Sequence, residues 1–264
     1  MLTVNHLTKT FNKGTVNERL AMDNVSLNLK EGDFVTVIGS NGAGKSTLFN
    51  LISGCYLADA GNITLNNTDI TFMKEHKRAK TIGRLFQDPL KGTAPSMTIE
   101  ENLALSYLRN ATTKISFGIS RKDSAYFRER LAALGLGLEN RMKTKMGLLS
   151  GGQRQAVTLL MSTLVTPKLL LLDEHTAALD PATAEKVLKI TKDIVKENNI
   201  TTMMITHNIQ SALDLGNRTI MMDNGKIILD LKDEQRDNMT VEKLLEMFKK
   251  ESHKQLSNDR MLFS

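Results

Sequence analysis

The sequence is poor in the residues that characterise small extracellular domains: its 264 residues include one cysteine, four prolines and no tryptophan. Cys55 has no second cysteine to pair with, and chains without disulfides are typical of reducing compartments. No run approaches the roughly 18 uncharged apolar residues that a membrane-spanning helix requires. Residues Met1–Asn5 lack the basic and apolar regions of a signal peptide. We therefore expect a cytosolic chain without a membrane span of its own.

The excess of positive charge is small and scattered. The formal net charge is +6, and 41% apolar with 24% charged residues is ordinary for a globular protein long enough to bury a full core. Basic groups such as Lys74–Lys80 and Lys249-Lys250 have no aromatic residues among them. This pattern is typical of a solvated surface, or of a face near an anionic membrane, and we expect no nucleic-acid partner.

The first third of the chain alternates apolar and polar residues in the manner of β-strands. The pattern predicts strands at Val25–Leu29 and Phe34–Ile38 and a hairpin around Asn62–Asp69. A glycine-rich loop follows the second strand directly, and Thr47–Ser53 then has helical spacing closed by Gly54. Strand, loop and helix in this order are the context that a phosphate-binding loop requires.

The rest of the chain divides into a helical segment and an α/β segment. After a strand at Thr81–Phe86, residues 88–149 have the spacing of amphipathic helices and predict a helical insert. The residues Glu251–Ser264 are left unassigned. The other predicted elements are a helix after the capping-box pair Thr98 and Glu101, helices at Tyr126–Leu134, Gln155–Val165 and Ala182–Glu197, strands at Leu169–Leu172 and Thr201–Thr206, and a hairpin at Arg218–Asp230 with Asn224-Gly225 at its turn. After Thr240 a further helix is predicted, with Val241, Leu244, Leu245 and Phe248 on one apolar face that favours core packing over a partner contact.

The glycine-rich loop has the spacing of a nucleotide phosphate loop. Its small residues let successive backbone N–H groups point at phosphate oxygens, and the following helix adds the positive end of its dipole. We expect the Lys45 ammonium to reach the β- and γ-phosphates and the Ser46 hydroxyl to bind Mg²⁺. The nucleotide-binding residues predicted here are Gly39, Ser40, Asn41, Gly42, Ala43, Gly44, Lys45, Ser46 and Thr47.

Four leucines followed by two acids, Leu169–Glu174, predict a buried parallel strand that delivers two carboxylates at its C-terminal end. In a phosphoryl-transfer site Asp173 would hold Mg²⁺, and Glu174 would act as general base toward the attacking water. An acidic strand exit without a catalytic role is the alternative, which the phosphate loop elsewhere in the chain disfavours.

Three further polar residues gain meaning from their positions. Gln87 follows a predicted strand where the helical insert begins, so it could bridge Mg²⁺ or the attacking water to that insert. His207 follows another predicted strand, where it could contact a γ-phosphate. Either residue could instead be a structural hydrogen-bonding group. Asp180 precedes Pro181 and has the pattern of a helix N-cap.

A second glycine-rich element, Ser150-Gly151-Gly152-Gln153, lies just before the strand with the two acids. With it, the chain resembles a single ABC transporter ATP-binding subunit along nearly its whole length, since all the motifs occur in that family's order. In this comparison Gly39–Ser46 matches the Walker A loop, Gln87 the Q-loop, Ser150–Gln153 the signature, Leu169–Glu174 the Walker B strand, Ala178–Pro181 the D-loop and His207 the switch histidine.

The resemblance implies an α/β fold: a P-loop NTPase (RecA-like) core with an antiparallel β subdomain and an inserted helical subdomain. It places the helical subdomain at residues 88–149 and the remainder at 1–87 and 150–264, within a single ABC ATPase domain. It also implies ATP and Mg²⁺ as cofactors, with Mg²⁺ held near Ser46, Gln87 and Asp173.

The resemblance further implies a homodimer in which each ATP lies between two copies of the chain. The signature residues Ser150, Gly151, Gly152 and Gln153 would bind the ATP of the opposite copy. In its own site the chain would use Lys45, Gln87, Glu174 and His207 for catalysis. Asp180 of the D-loop is counted among the binding residues. Phe11 stands where this family often has an aromatic residue stacked on adenine, although a phenylalanine at a strand end is equally typical of a core.

Two positions depart from the commonest ABC pattern without removing a catalytic group. His175 stands where a proline usually follows the two acids, and Arg154-Gln155-Ala156 lacks the usual more distal arginine. Together with Phe86–Thr93, these features resemble a bacterial branch of uptake ATPases described as a tryptophan/tyrosine transport system. That branch works with a permease and a substrate-binding lipoprotein.

The resemblance therefore implies an ATPase that energises a membrane importer from the cytoplasmic face of a bacterial cell membrane. Its partners would be a permease and, indirectly, a lipoprotein, and its substrate a small solute such as an aromatic amino acid. A soluble ABC ATPase, for example of the iron–sulfur assembly type, is one alternative. An exporter ATPase is another, because ATPase motifs do not encode the direction of transport.

Overall fold

A computed structural model describes residues 1–88, 90–108, 118–232 and 234–252. Pro89 of the predicted Q-loop segment and residues 253–264 of the unassigned C-terminal stretch lie outside the described residues. The chain forms two compact units, one of Met1–Ala79 with the described residues from Asn199 onward, the other of Lys80–Asn198. The predicted limits of a helical subdomain at residues 88–149 stay a prediction.

The strands in the described part of the chain are β1 Leu2–Phe11, β2 Arg19–Leu29, β3 Phe34–Gly39, β4 Ala60–Leu65, β5 Thr68–Asp69, β6 Ile82–Leu85, β7 Leu169–Asp173, β8 Thr201–Ile205, β9 Arg218–Asp223 and β10 Lys226–Lys232. The α-helices there are α1 Lys45–Ser53, α2 Glu75–Arg78, α3 Ile99–Leu108, α4 Arg121–Ala132, α5 Gly151–Thr163, α6 Pro181–Glu197, α7 Ile209–Leu215, α8 Glu234–Asp237 and α9 Val241–Ser252. Short 3₁₀ turns lie at Leu138–Asn140 and Met146–Leu148. Within the described ranges, no helix is both long enough and apolar enough to cross a membrane.

The first unit contains two groups of strands. In one, β1 pairs antiparallel with β2 and with β4, and β4 pairs antiparallel with the short β5. In the other, β3 lies between β8 and β9 and is parallel to both, and β10 returns antiparallel along β9. Every residue of β3 and β8 is buried, as expected for parallel strands covered on both faces.

Helices α7 and α9 pack on the second group of strands, α7 against β3 and α9 against β10. Leu244 and Phe248 of α9 are almost fully buried and pack with Ile38, Met221 and Leu231. This packing confirms that the apolar stripe predicted after Thr240 belongs to the core. The apolar residues of α9 recur every three to four positions, so they lie on one face of the helix, and that face is buried.

The second unit combines the parallel pair β6–β7 with a helical cluster. Leu103 of α3, Phe127 and Leu131 of α4, and Val157 and Leu160 of α5 meet in its core. A capping box begins each of these three helices: Thr98 with Glu101 precedes α3, Ser120 with Asp123 precedes α4, and Ser150 with Gln153 precedes α5.

Several predicted helix starts were wrong by two to five residues, and α7 was not predicted. Helix α1 begins at Lys45 rather than at Thr47, α4 at Arg121 rather than at Tyr126, and α5 at Gly151 rather than at Gln155. The first turn of each helix consists of polar or small residues that carry no apolar periodicity. The start of a helix is set there by capping and by the unpaired N–H groups of the first turn, which the apolar pattern does not register.

Candidate nucleotide-binding site

In the first unit, the predicted phosphate loop follows β3 and leads directly into α1. Gly39 has a φ of 147°, and a Cβ atom there would lie 2.2 Å from the carbonyl oxygen of Met222. Gly44 has a φ of 102°, and a Cβ atom there would lie 2.9 Å from the carbonyl oxygen of Ala21. Both obstacles are backbone atoms that cannot rotate away, so only glycine fits at these two positions.

The Lys45 side chain folds back over the loop. Its ammonium is buried and donates hydrogen bonds to the carbonyl oxygens of Gly39 at 2.7 Å and Ser40 at 3.1 Å. These charge-assisted bonds hold the positive charge at the centre of the predicted phosphate-binding loop. The Ser46 hydroxyl, by contrast, lies on an exposed residue at the first turn of α1.

Three groups that sequence reasoning missed support the loop from the side. Arg19, at the start of β2, donates to the Gly42 carbonyl oxygen at 2.8 Å, and the Ser40 hydroxyl donates to Asp223 at 3.3 Å. The Gly225 N–H donates to the Ala43 carbonyl oxygen at 2.9 Å. Gly225 belongs to the predicted Asn-Gly hairpin turn, but nothing local in the sequence indicated that this turn lies against the loop.

His207 follows β8, which is the parallel neighbour of β3. Val37 is in register with Ile205, and the Thr206 N–H donates to the Val37 carbonyl oxygen at 3.3 Å. The half-buried His207 and the phosphate loop therefore leave the same edge of these parallel strands, which is where ligands bind in such sheets. Its contact with a γ-phosphate stays a prediction.

Phe11 ends β1 and is half-buried, so it is neither a core residue nor a free surface group. Its ring lies edge-on to that of Tyr56, with centroids 5.2 Å apart and an interplanar angle of 76°. The Lys9 ammonium is 5.7 Å from the Phe11 centroid. A stacking role with adenine stays a prediction for this ring.

In the second unit, the C-terminal ends of β6 and β7 bring Gln87 and Asp173 to one edge, because Leu85 is in register with Leu172. Gln87 is exposed. Asp173 is paired with the guanidinium of Arg84 at 3.6 Å, and that guanidinium also lies over the ring of Phe86, 4.6 Å from its centroid. Arg84 is a neighbour of the predicted Mg²⁺ ligand that sequence reasoning missed.

Glu174 has a φ of 46°, in the left-handed region that non-glycine residues rarely adopt. Its carbonyl oxygen accepts a hydrogen bond from the Ala177 N–H at 3.0 Å, which closes a turn directly after β7. A backbone conformation of this kind lowers the stability of the fold by about 1–3 kcal/mol, and it persists only where the surrounding structure holds it. Such strain is common at functional sites.

His175 is 2% exposed, and burial lowers the pKa of its imidazole from 6.5 to about 4. Its Nε2 atom is 3.2 Å from the Thr191 hydroxyl of α6. The buried position favours a structural role for His175 at the end of β7 over an approach to the nucleotide.

The signature segment forms the N-terminus of α5. Ser150 is the N-cap: its hydroxyl accepts from the Gln153 N–H at 3.3 Å, and the Gln153 side chain accepts from the Ser150 N–H at 3.3 Å. Ser150 is exposed, and as an acceptor in the cap its hydroxyl keeps its own proton for donation. The N–H groups of the first turn point in the same direction as the helix dipole.

Gly152 lies in close contact with helix α6. A Cβ atom at this position would lie 2.0 Å from Cγ2 of Thr183, in the first turn of α6. That turn is fixed by Asp180, whose carboxylate caps α6 by accepting from the Thr183 N–H at 3.1 Å, with Pro181 at the first helical position. Hydrogen bonds from Thr183 lower the pKa of Asp180. The N-cap predicted for Asp180 is confirmed, and its nucleotide contact stays a prediction.

The contact between Gly152 and Thr183 predicts a specific rescue. Gly152→Ala is expected to lower the unfolding free energy by about 1–3 kcal/mol through overpacking, in spite of the better helix propensity of alanine. The double variant with Thr183→Ser lacks the clashing methyl group and is expected to regain most of that loss. Chemical denaturation of both variants and of Thr183→Ser alone measures this. Equal stability of the single and double variants would contradict the contact.

With this geometry established, comparison with known proteins decides the family. The sequence profile of the ABC transporter family matches residues 22–177, more than half of the chain. The chain belongs to the ABC transporter family. It is the ATP-binding subunit of such a transporter and an ATPase.

Similar curated proteins are transport subunits. The chain is 45% identical over 248 residues to the tyrosine transport ATP-binding protein of Clostridioides difficile, covering 94% of this chain and 98% of that protein. It is 34% identical over 227 residues to the methionine import ATP-binding protein MetN of Corynebacterium glutamicum, covering 84% of this chain. The chain spans only 60% of the length of that MetN protein.

Solved ABC cassettes share the fold. A dimeric ATP-binding cassette in a post-hydrolysis state, bound to ADP and Pi, has a TM-score of 0.75 and 31% identity, covering 88% of this chain and 98% of that one. A nucleotide-free cassette from an ABC transporter has a TM-score of 0.75 and 26% identity, covering 94% and 98%. The predicted fold class, a P-loop NTPase core with an antiparallel β part and helical elements, is confirmed. The predicted roles of individual residues stay predictions.

Proposed function

We propose that this ABC subunit energises the import of an aromatic amino acid or a related small solute, as a pair of identical chains beneath a permease. The observation that carries the proposal is the 45% identity, across 98% of its length, to a protein named for tyrosine transport. Motifs intact from the phosphate loop to the switch histidine support hydrolysis in both sites of such a pair. A homodimer is the simplest assembly with two complete sites.

In each site, the chain's own groups would bind and position ATP. The loop N–H groups and the Lys45 ammonium would hold the β- and γ-phosphates, with the dipole of α1 behind them. Glu174 would take the proton of the attacking water, and His207 would bind the γ-phosphate at the edge it shares with the phosphate loop. Catalysis would then consist of positioning and charge stabilisation.

The residues present fit a Mg²⁺ ion bound together with the nucleotide. Ser46 and Gln87 offer exposed oxygens, and Asp173 offers a carboxylate oxygen, all of them hard donors. Within the described residues no group of three or more acidic, histidine or cysteine side chains could hold a metal by itself. This agrees with Mg²⁺ sites that use one or two protein groups and the phosphates of the substrate. When bound, the ion would neutralise charge on the phosphates.

The signature would serve the opposite copy of the chain. Its serine hydroxyl is exposed and able to donate, and the first-turn N–H groups of the 13-residue helix α5 are suited to an anion. A solved cassette of this family described as dimeric supports the arrangement. Closure of the pair on two ATP molecules and reopening after hydrolysis would then drive transport.

A permease would dock on the second unit, and a substrate-binding lipoprotein would deliver the solute to it. Three leucines near the predicted Q-loop and along α3 support a protein partner, since Leu90 is 44% exposed and Leu105 and Leu108 are each 54% exposed. A contiguous apolar patch formed by these leucines would be an interaction site. The complex would place this chain at the cytoplasmic face of a bacterial cell membrane.

The proposal is tested by purifying the tagged chain from detergent-solubilised membranes of its source and identifying its partners. The complex is then reconstituted in vesicles, and uptake of labelled tyrosine, tryptophan and methionine is measured with ATP on this chain's side. We expect co-purification of a hydrophobic permease and ATP-dependent uptake of an aromatic amino acid. Uptake of methionine alone would overturn the substrate class. Co-purification with soluble scaffold proteins only, or outward transport, would overturn the importer.

A further inference from the structure

The turn that carries Glu174 is tied to the middle of helix α6 through the next residue. Glu174 adopts a left-handed conformation with a φ of 46°. His175 is buried directly behind it, and its Nε2 atom is 3.2 Å from the hydroxyl of Thr191, which is itself 0% exposed. Histidine does not restrict its own φ as a proline ring does. Beyond the backbone hydrogen bond that closes this turn, the restraint available at position 175 is therefore what the His175 side chain contacts.

The direction of this hydrogen bond follows from the single proton of the threonine. The Thr191 hydroxyl donates to the carbonyl oxygen of Val187, one turn earlier in α6, at 2.8 Å. Its oxygen can therefore only accept from the imidazole, so Nε2 of His175 carries a proton and donates it. The imidazole thus has one favoured orientation, fixed by a helix of 17 residues that is capped at Asp180.

We propose that the buried hydrogen bond from His175 to Thr191 positions Glu174 for its action on the attacking water. The bond anchors the residue after Glu174 to α6, and the turn closed by Ala177 anchors the residues beyond it. Glu174 thus lies between the end of β7 at Asp173 and the anchored His175, and these neighbours hold its strained backbone in place. This inference rests on the proposed role of Glu174 as general base.

Two substitutions at Thr191 separate the hydrogen bond from the packing around it. Thr191→Val keeps the shape and removes the hydroxyl. Thr191→Ser keeps the hydroxyl and removes only a methyl group. We expect the valine variant to lower kcat at least about tenfold with an unchanged KM for ATP, because a shifted base slows the chemical step and leaves nucleotide binding intact. We expect the serine variant to retain wild-type kcat.

Steady-state ATP hydrolysis by the full chain, normalised to the folded fraction from thermal unfolding, gives kcat and KM. Equilibrium binding of a fluorescent ATP analogue is measured alongside. A valine variant that melts earlier but keeps wild-type kcat per folded molecule would overturn the proposal, as would an equal loss of kcat in the serine variant. Glu174→Gln is run in parallel. If that variant also hydrolysed ATP normally, the proposed role of Glu174 itself would fail, which distinguishes the two failures.

Discussion

Replacing Glu174 with glutamine is expected to lower ATP hydrolysis by about 10²–10⁴-fold while leaving ATP binding intact. Glutamine has nearly the same shape and can still occupy the turn after β7, but its amide cannot take a proton from water. Because the phosphate loop lies elsewhere in the chain and is unchanged, the variant keeps its nucleotide. ATP that is bound and not hydrolysed should hold two copies together.

This prediction is checked by phosphate release and by size-exclusion chromatography with and without ATP. Glu185→Gln is the matched control, because it makes the same charge change at an exposed position of α6. The control is expected to behave as the wild type in both measurements. A Glu174→Gln variant that elutes as a monomer with saturating ATP would contradict the paired-site arrangement. Wild-type hydrolysis by that variant would contradict the role of Glu174 as base.

Lys45→Ala and Ser150→Ala are expected to fail at different steps. Loss of the Lys45 ammonium removes charge-assisted bonds to the phosphates, which corresponds to at least about a 100-fold weaker affinity for ATP in the monomer. Loss of the Ser150 hydroxyl leaves the phosphate loop of the same chain untouched. Ser150→Ala should therefore bind ATP as a monomer with near wild-type affinity and fail to form the ATP-dependent pair.

Ser150→Ala also removes the cap of α5, which costs about 1 kcal/mol, so it needs a control for lost capping. Ser120→Ala supplies one, because Ser120 caps α4 with the same reciprocal arrangement, formed there with Asp123. It is expected to lose similar stability and to keep ATP-dependent pairing.

Nucleotide affinity is measured at concentrations where the chain is monomeric, and pairing by sedimentation in the Glu174→Gln background. If Ser150→Ala lost ATP binding as completely as Lys45→Ala, its hydroxyl would belong to the site of its own chain. If Ser120→Ala abolished pairing as well, the loss in Ser150→Ala would reflect helix stability and not a contact with ATP.

The elements that could be predicted are those whose conformation depends only on residues close by in the sequence. The strand Phe34–Gly39 is apolar apart from Thr36 and Gly39, the hairpin at Asn224-Gly225 needs two positive φ values, and Thr98 with Glu101 is a self-contained cap. Helix starts were less predictable. From the sequence, Gly151 and Gly152 are interpreted as loop residues, because glycine disfavours a helix interior. In the structure they form the first turn of α5, directly after the N-cap Ser150.

The sequence by itself determined the family, the order of the motifs and the chemical groups that each motif carries, because these depend on residue type and spacing along the chain. Only the tertiary structure decided which residues from distant parts of the chain contact and support those groups. It placed the Gly225 turn against the phosphate loop, Thr183 against Gly152, and Thr191 against His175. The residues that these contacts join are separated in the sequence by 16 positions in the shortest case and by more than 180 in the longest. No local sequence pattern predicts contacts between residues so far apart in the chain, because these contacts depend on how the strands and helices pack.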